Sequence, residues 1–181
     1  MKVVVENIIA SCKVAGDLHM DRIRNALEGS KYQPSLFEGV IYSRKDPNAD
    51  IFLHKDGVIK LHGATSEEKI ETALNDTLKI LEKEGIHLRK VEPLKIKEVI
   101  ASFTLDGSLD PKSVYEEFKD DGVIYDPGEL PGFILHVGKN IEVLIFPEGK
   151  IVSKGSDNLL DAISSLQMVE NRIEIGGEDA S

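Results

Sequence analysis

Apolar and polar positions follow the same pattern in two stretches of the chain, residues 51–64 and 143–156. Each stretch has an apolar, β-prone run, a turn at Asp56-Gly57 or Glu148-Gly149, and a second run that ends at a glycine. This arrangement is typical of a β-hairpin. We therefore predict two equivalent hairpins, whose turn glycines are 92 residues apart.

Three further landmarks recur in the same order and at nearly the same spacing. Residues 8–11 match 99–102 at an offset of 91, residues 32–34 match 125–127 at 93, and residues 37–41 match 130–134 at 93. Such recurrence indicates an internal repeat. We predict one unit of about 90 residues, present twice, at residues 1–92 and 93–181.

Each repeat is predicted to contain a strand, a short helix, a three-stranded meander and a longer amphipathic helix. In the first repeat we expect strands at 2–11, 37–43, 49–54 and 58–62, and helices at 17–29 and from the capping box at 65–68 to Gly85. Residues 86–93 are predicted to connect the repeats. In the second repeat we expect strands at 95–105 and near residues 132, 141 and 150, and helices at 110–119 and from Asp157. The last helix is predicted to be shorter than its counterpart, with a frayed tail from Ile175.

The connections between strands are too short for parallel crossovers, so the sheet is predicted to be antiparallel and the fold to be α+β. The helices would cover one sheet face. The other face is left for solvent, for self-association or for a ligand.

Composition limits the chemistry of that face. No apolar run approaches the roughly 18 residues that a membrane span needs. The only cysteine, Cys12, lies in an apolar run, which favours a buried structural thiol and an intracellular setting. The net charge of −10 is uneven: residues 1–92 have 14 Lys and Arg against 15 Asp and Glu, whereas residues 93–181 have 8 against 17. Since phosphate repels carboxylates, the second repeat is the poorer partner for nucleic acid.

The repeat, the loop from Tyr32 into the strand at Phe37–Ile41, and the hairpin at 144–155 followed by a helix resemble the TATA-box-binding protein family, above all its archaeal form. The resemblance covers about residues 3–168. It implies two pseudo-twofold repeats that form a curved antiparallel sheet, or saddle, with helices on the convex face. The concave face would bind the minor groove of promoter DNA. No cofactor and no metal is implied.

The resemblance also implies a function and its residues. We expect a transcription initiation factor in the cytoplasm of an archaeal cell that bends TATA-box DNA and recruits the B-type initiation factor and RNA polymerase. The positions implied to contact DNA are Asn7, Ile9, Phe37, Phe52, His54, Lys60 and His62 in the first repeat, and Ile100, Leu130, Leu144, Phe146, Val152 and Lys154 in the second.

Several positions depart from the family pattern. The family has one base-reading asparagine per repeat, but only Asn7 is present and Glu98 occupies the second position. Of four wedge phenylalanines, Phe37 and Phe146 match, whereas His54 and Leu130 stand at the other two. Lys60, His62 and Lys154 add donors to the same face. These departures predict altered or weakened binding in which the first repeat makes more of the contact.

The sequence also allows other readings. His54 and His62 invite a metal site, but His62 is predicted to lie opposite residue 50 or 51, on the order of 10 Å from His54. An enzyme is disfavoured because the sequence has no phosphate loop, nucleophile elbow or His-Glu-x-x-His motif. The main alternative is a TATA-binding-like paralogue with weakened DNA binding that acts as a protein-interaction or regulatory module. A homodimer through the concave face also stays open.

Overall fold

A computed structural model describes residues 1–178 of the chain and divides it into two compact units. The N-terminal unit comprises residues 7–97, and the C-terminal unit comprises residues 1–6 together with residues from 98 onward. Two strands, β1 (Val4–Gly16) and β6 (Leu88–Thr104), have residues in both units.

The N-terminal unit is an antiparallel sheet with helices on one face. After β1 come α1 (Met20–Ala26), β2 (Lys31–Tyr32), β3 (Gly39–Lys45), β4 (Asn48–His54), β5 (Val58–Ala64) and α2 (Glu67–Lys83). The strands are arranged in the order β2-β3-β4-β5-β1. The helix α2 packs on β4 and β5, and α1 packs on β2 and β3.

The C-terminal unit repeats this plan. It continues from β6 through α3 (Pro111–Phe118), a 3-10 turn (Lys119–Asp121), β7 (Ile124–Tyr125), β8 (Phe133–Val137), β9 (Ile141–Ile145), β10 (Lys150–Ser156) and α4 (Leu159–Glu178). Its strand order is β6-β10-β9-β8-β7, and α4 packs on β9 and β10.

Strand alternation decides which side chains enter the core. Ile51 and Leu53 are buried under the helices, whereas Phe52 and His54 point away from them and are half-buried. The same alternation in β9 buries Val143 and Ile145. Each unit therefore has a helix-free face, which we define as the sheet surface formed by these alternate, half-buried residues.

The helix α2 begins at Glu67, inside the predicted capping box at 65–68. Ser66 is the N-cap, and its hydroxyl accepts a hydrogen bond of 3.2 Å from the Lys69 N–H. The apolar stripe of Ile70, Ala73 and Leu74 is fully buried, as its helical spacing predicts.

Some predicted boundaries are wrong. β6 begins at Leu88, inside the predicted connector. The sequence pattern does not show this part of the strand because most residues in its first half are exposed and several are charged. The two-residue strands β2 and β7 are too short to show a periodicity.

The helix α4 has 20 residues against 17 in α2, so it is longer than α2 and not, as the sequence predicted, shorter. It continues through Gly176 and Gly177 because an established helix tolerates glycine at about 1 kcal/mol each. The rest of the predicted tail lies outside the described residues.

Candidate nucleic-acid interface

The helix-free face of the N-terminal unit contains a groove of about 580 Å³. Six of the seven side chains predicted for this repeat line it, namely Ile9, Phe37, Phe52, His54, Lys60 and His62. They come from β1, β4, β5 and the loop before β3. Most of the lining is aromatic or aliphatic, so the groove fits a flat apolar partner better than a hydrated ion.

The aromatic rings of this groove contact one another. The centroids of Phe37 and Phe52 are 6.0 Å apart with an interplanar angle of 89°, and Phe37 and His54 are 5.8 Å apart. Phe52 stacks on His62 at 4.9 Å. Such edge and offset contacts hold the rings in place, and all four side chains are only half-buried.

Backbone geometry fixes the position of Phe37. Its N–H donates to the Gln33 carbonyl at 3.0 Å, and the N–H of Gly39 donates to the Phe37 carbonyl at 2.8 Å. A Cβ atom at Gly39 would lie 2.6 Å from the Phe37 ring and 2.3 Å from the Leu53 carbonyl oxygen. The glycine is therefore required for the close approach of both the Leu53 carbonyl and the Phe37 ring to the start of β3.

Both histidines of the face lie beside carboxylates. His54 Nδ1 is 2.8 Å from Asp56 Oδ1, and His62 Nδ1 is 4.0 Å from Asp50 Oδ2. The pKa of Asp56 is lowered, chiefly because the Val58 N–H donates to its carboxylate and also because of His54. His62 is paired with Asp50 across the β4–β5 ladder, which confirms the predicted register. Among the residues that the structure describes, no group of three or more His, Cys, Asp and Glu side chains is arranged to hold a metal ion.

Lys60 is the cation of this groove. It is exposed, and in the ladder it lies between Phe52 on β4 and Ser11 on β1. Within the described part of the chain its ammonium group has no ion-pair partner, so its charge is available to a ligand.

The helix-free face of the C-terminal unit carries the other predicted residues. Leu144 and Val152 are neighbours across the β9–β10 ladder, and Phe146 follows on the same side of β9. Phe146 packs on Gly132, where an added Cβ would lie 2.9 Å from its ring. Ile100 on β6 and Leu130, in the loop before β8, are also half-buried.

The lysines of this second face are neutralised. Lys154 Nζ is 2.8 Å from Glu142, and Lys150 Nζ is 3.2 Å from Glu6. The pKa of Glu142 is lowered, chiefly by the hydrogen bond from Lys154, and that of Glu6 is lowered by the hydrogen bonds from Ser102 and then Lys150. Our sequence reasoning missed these carboxylates. Because Glu142 and Lys154 lie opposite each other in the hairpin, a cross-strand pairing of the second hairpin could have found that pair.

Asn7 and Glu98 occupy equivalent places in the two units. The Gly63 N–H donates to Asn7 Oδ1 at 2.6 Å, and the Gly155 N–H donates to Glu98 Oε1 at 2.9 Å. In both units the ladder shifts its register at this point, and both glycines have a positive φ, 96° and 89°. The two side chains thus make the same contact with equivalent bulges, a role that the sequence did not reveal.

Cys12 is not part of the site. Its side chain is 3% exposed, and burial raises the pKa of its thiol to about 11. A buried, protonated thiol is a weak nucleophile. The predicted structural role of Cys12 agrees with this environment.

The comparisons with known proteins define a transcription factor built from two repeats. A family model described as transcription factor TFIID, or TATA-binding protein, matches residues 2–84 and 93–173. The chain therefore belongs to the TATA-binding protein family, as the sequence motifs predicted. This is a family of transcription factors and not of enzymes.

Individual relatives match over nearly the full chain. TATA-box-binding protein F of Halobacterium salinarum is 28% identical over 95% of this chain and 94% of its own length. The TATA-box-binding protein of Methanococcus aeolicus is 25% identical over 96% and 94%. The solved structure of Methanococcus jannaschii TBP covers 96% of this chain and 99% of its own, with a TM-score of 0.83 at 24% identity. This last likeness confirms the α+β fold class.

In the part of the chain that the structure describes, no helix combines the length and the apolar character that a membrane span needs.

Proposed function

We propose that this protein is a transcription initiation factor that binds TATA-box promoter DNA in the minor groove, through the helix-free faces of its repeats, and bends it. By the family resemblance it acts in the cytoplasm of an archaeal cell, with the B-type initiation factor and RNA polymerase as partners. The repeat boundary between residues 92 and 93 is part of the same proposal.

The aromatic cluster of Phe37, Phe52 and His54 carries this proposal. It forms the wall of an open groove on a sheet face that no helix of its own unit covers. Apolar side chains presented in this way can insert between base steps of a widened minor groove and kink the duplex. The energy of unstacking is offset by the larger contact area of the bent DNA.

The charges support a larger share of the contact for the first repeat. Lys60 is without an ion-pair partner in the described residues, whereas Lys150 and Lys154 are held by Glu6 and Glu142. A lysine must leave its carboxylate before it can neutralise a phosphate, so a paired lysine contributes less to DNA affinity. The −9 charge of residues 93–181 acts in the same direction.

The loop before β8 is the proposed site for the B-type factor. Asp126 orders this loop: its side chain accepts from the Gly128 N–H at 3.0 Å and its carbonyl accepts from the Leu130 N–H at 2.9 Å. Next to it, Tyr125 stacks on Phe133 at 4.3 Å. Gly128 and Glu129 in this loop depart from the family pattern, and that departure weighs against the contact with the B-type factor.

A second candidate function rests on Glu98 and the paired lysines. These features weaken attraction for phosphate and favour a TATA-binding-like paralogue that acts as a protein-interaction or regulatory module. A homodimer through the helix-free face belongs to the same candidate, because self-association would cover the apolar groove. Solution mass that rises with protein concentration would support the dimer.

Equilibrium binding to a fluorescent TATA-box duplex, compared with a scrambled duplex of equal composition, separates the two candidates. For an initiation factor we expect the TATA-box duplex to bind more tightly, and Phe37→Ala to weaken it at least about tenfold, the equivalent of 1.4 kcal/mol. The matched control is Leu36→Ala, since Leu36 is 81% exposed and lies outside the groove. Equal affinities of wild type and Phe37→Ala, or of the two duplexes, would contradict the proposal.

A further inference from the structure

Asn7 and Glu98 make the same backbone contact but present opposite chemistry to a ligand. Each uses one oxygen to accept the N–H of a bulge glycine, Gly63 or Gly155. Because an N–H donor fixes which end of the amide faces it, Asn7 turns its Nδ2 donor away from the bulge. Glu98, in the same arrangement, turns its Oε2 atom away from the bulge. As a carboxylate oxygen, Oε2 can accept a hydrogen bond but cannot donate one.

The remaining atoms are available. Both side chains are half-buried on the helix-free faces, and among the side chains that the structure describes neither Asn7 Nδ2 nor Glu98 Oε2 has a hydrogen-bond partner. The backbone contact restrains each side chain, so its free atom points in one direction instead of sampling many. Such restraint is what allows a polar group to discriminate between ligands.

The minor groove offers few donors to such an acceptor. An A·T or T·A pair exposes only the acceptors A N3 and T O2 there, and a G·C pair adds one donor, the N2 amino group of guanine. Asn7 Nδ2 can therefore donate a hydrogen bond to the acceptors of an A·T pair. Glu98 Oε2 faces repulsion from an A·T pair and finds its only base partner in the guanine amino group.

We infer that Glu98 is a specificity-determining residue that makes the second repeat prefer a G·C pair at the position it faces, while Asn7 keeps the first repeat on A·T. This inference rests on the proposed minor-groove binding. Its consequence is an asymmetric recognition site, which would also set the direction in which the protein lies on the promoter.

The test changes one functional group at a time, on the DNA and on the protein. One G·C pair is moved step by step through an otherwise A·T duplex, and at each position guanine is compared with inosine, which lacks only the N2 amino group. At one position we expect G·C to bind about tenfold more tightly than inosine·C, the order of one well-placed base contact. There, 2,6-diaminopurine·T should likewise bind more tightly than A·T.

Matched variants assign the effect. Glu98→Gln keeps an oxygen for the Gly155 N–H and replaces the free acceptor by a donor, so the ratio of G·C to inosine·C affinity should fall to about one or below. Loss of the negative charge raises affinity for every duplex, which is why the ratio is measured. The reciprocal change, Asn7→Asp, should leave that position unaffected and create a preference for guanine elsewhere in the site.

The outcomes are distinct. An inosine scan that finds no position dependent on the amino group overturns the inference, and so does a ratio that survives Glu98→Gln. The scan uses wild-type protein, so it tests the inference even if a variant fails to fold. Thermal unfolding of each variant shows whether it is folded. If no duplex binds at any salt concentration, the proposed function itself fails and the inference fails with it.

Discussion

At the residue scale, the lysines on the two helix-free faces differ in how their charge is used. Lys60 has no carboxylate partner among the described residues, and Lys154 lies 2.8 Å from Glu142. The two residues have the same side chain on the second strand of equivalent hairpins. Their positions are not equivalent, because Lys60 corresponds to Val152 and Lys154 corresponds to His62, so the two residues compare an unpaired lysine of one face with a carboxylate-bound lysine of the other.

We predict that Lys60→Ala weakens binding to a TATA-box duplex and that Lys154→Ala has a smaller effect. If Lys60 neutralises one phosphate, its loss should make the slope of log K against log salt shallower by about 0.9. Fluorescence anisotropy over a salt series measures both slopes. Unchanged affinity and slope in both variants would show that the DNA does not contact these faces as assigned.

Residue-level prediction succeeded where strand alternation decides the outcome. The shared face of Phe52 and His54 and the pairing of His62 with Asp50 follow from a period of two and the turn position. The bonds of Asn7 and Glu98 to the bulge glycines did not follow, because a bulge changes the register by an amount that the sequence pattern does not specify.

At the element scale, the two bulges are held by glycines with different surroundings. A Cβ on Gly155 would lie 2.0 Å from the Asn140 carbonyl oxygen, whereas one on Gly63 would come no closer than 3.4 Å, to the Asn48 side chain. Both residues have a positive φ, which L side chains rarely adopt. Gly63 is thus required for its backbone angle, and Gly155 is also required for space.

We predict that Gly63→Ala lowers the free energy of unfolding by about 1–3 kcal/mol, the typical cost of such backbone strain. Gly155→Ala should cost more, because a backbone carbonyl cannot move aside as a flexible side chain can. Urea unfolding of the two variants provides the comparison. Equal losses, or a larger loss at Gly63, would contradict this account of the bulges.

Elements were predictable where the signal is long and local. The helix α2 was foreseen from its cap and apolar stripe, and the central hairpins from their turn glycines. The two-residue strands and the charged first half of β6 were not, since tertiary pairing and not local pattern makes them strands. The same holds for the length of α4, where helix propagation outweighed two glycines.

At the scale of the whole molecule, several carboxylates are stabilised in their charged form. The pKa is lowered at Glu6 by Ser102 and Lys150, at Asp56 by Val58 and His54, at Asp110 by Ser113, and at Glu142 by Lys154. Each group therefore binds its proton less readily in the folded protein than in the unfolded chain.

We predict that stability is retained above about pH 4.5 and is lost as the pH falls toward 3, because the unfolded chain then takes up more protons. The groups are largely exposed, so each contribution is small and salt should reduce the ion-pair part. Urea midpoints between pH 7 and pH 3, at low and high salt, measure this. A midpoint that rises on acidification below pH 4.5 would be the contrary result.

The whole-molecule plan was the most predictable feature of the chain. Four landmarks at offsets of 91 to 93 residues are enough to identify two copies of one unit, and the matched family carries two such repeats. What the chain does with that plan depends on a few positions where the copies differ. These positions include Glu98, His54 and Leu130, where the other copy has Asn7, Phe146 and Phe37. The effect of each of these residues on binding depends on the base pair that it meets.

The most direct test of the central claim is a titration of a TATA-box duplex labelled at both ends with a fluorescence donor and acceptor, against a scrambled duplex, across a salt series. Binding that brings the two labels closer on the TATA-box duplex alone, and that weakens with salt, is the predicted result. Failure to bind or bend that duplex at micromolar protein, with the fold intact, would contradict the claim and favour the protein-interaction module.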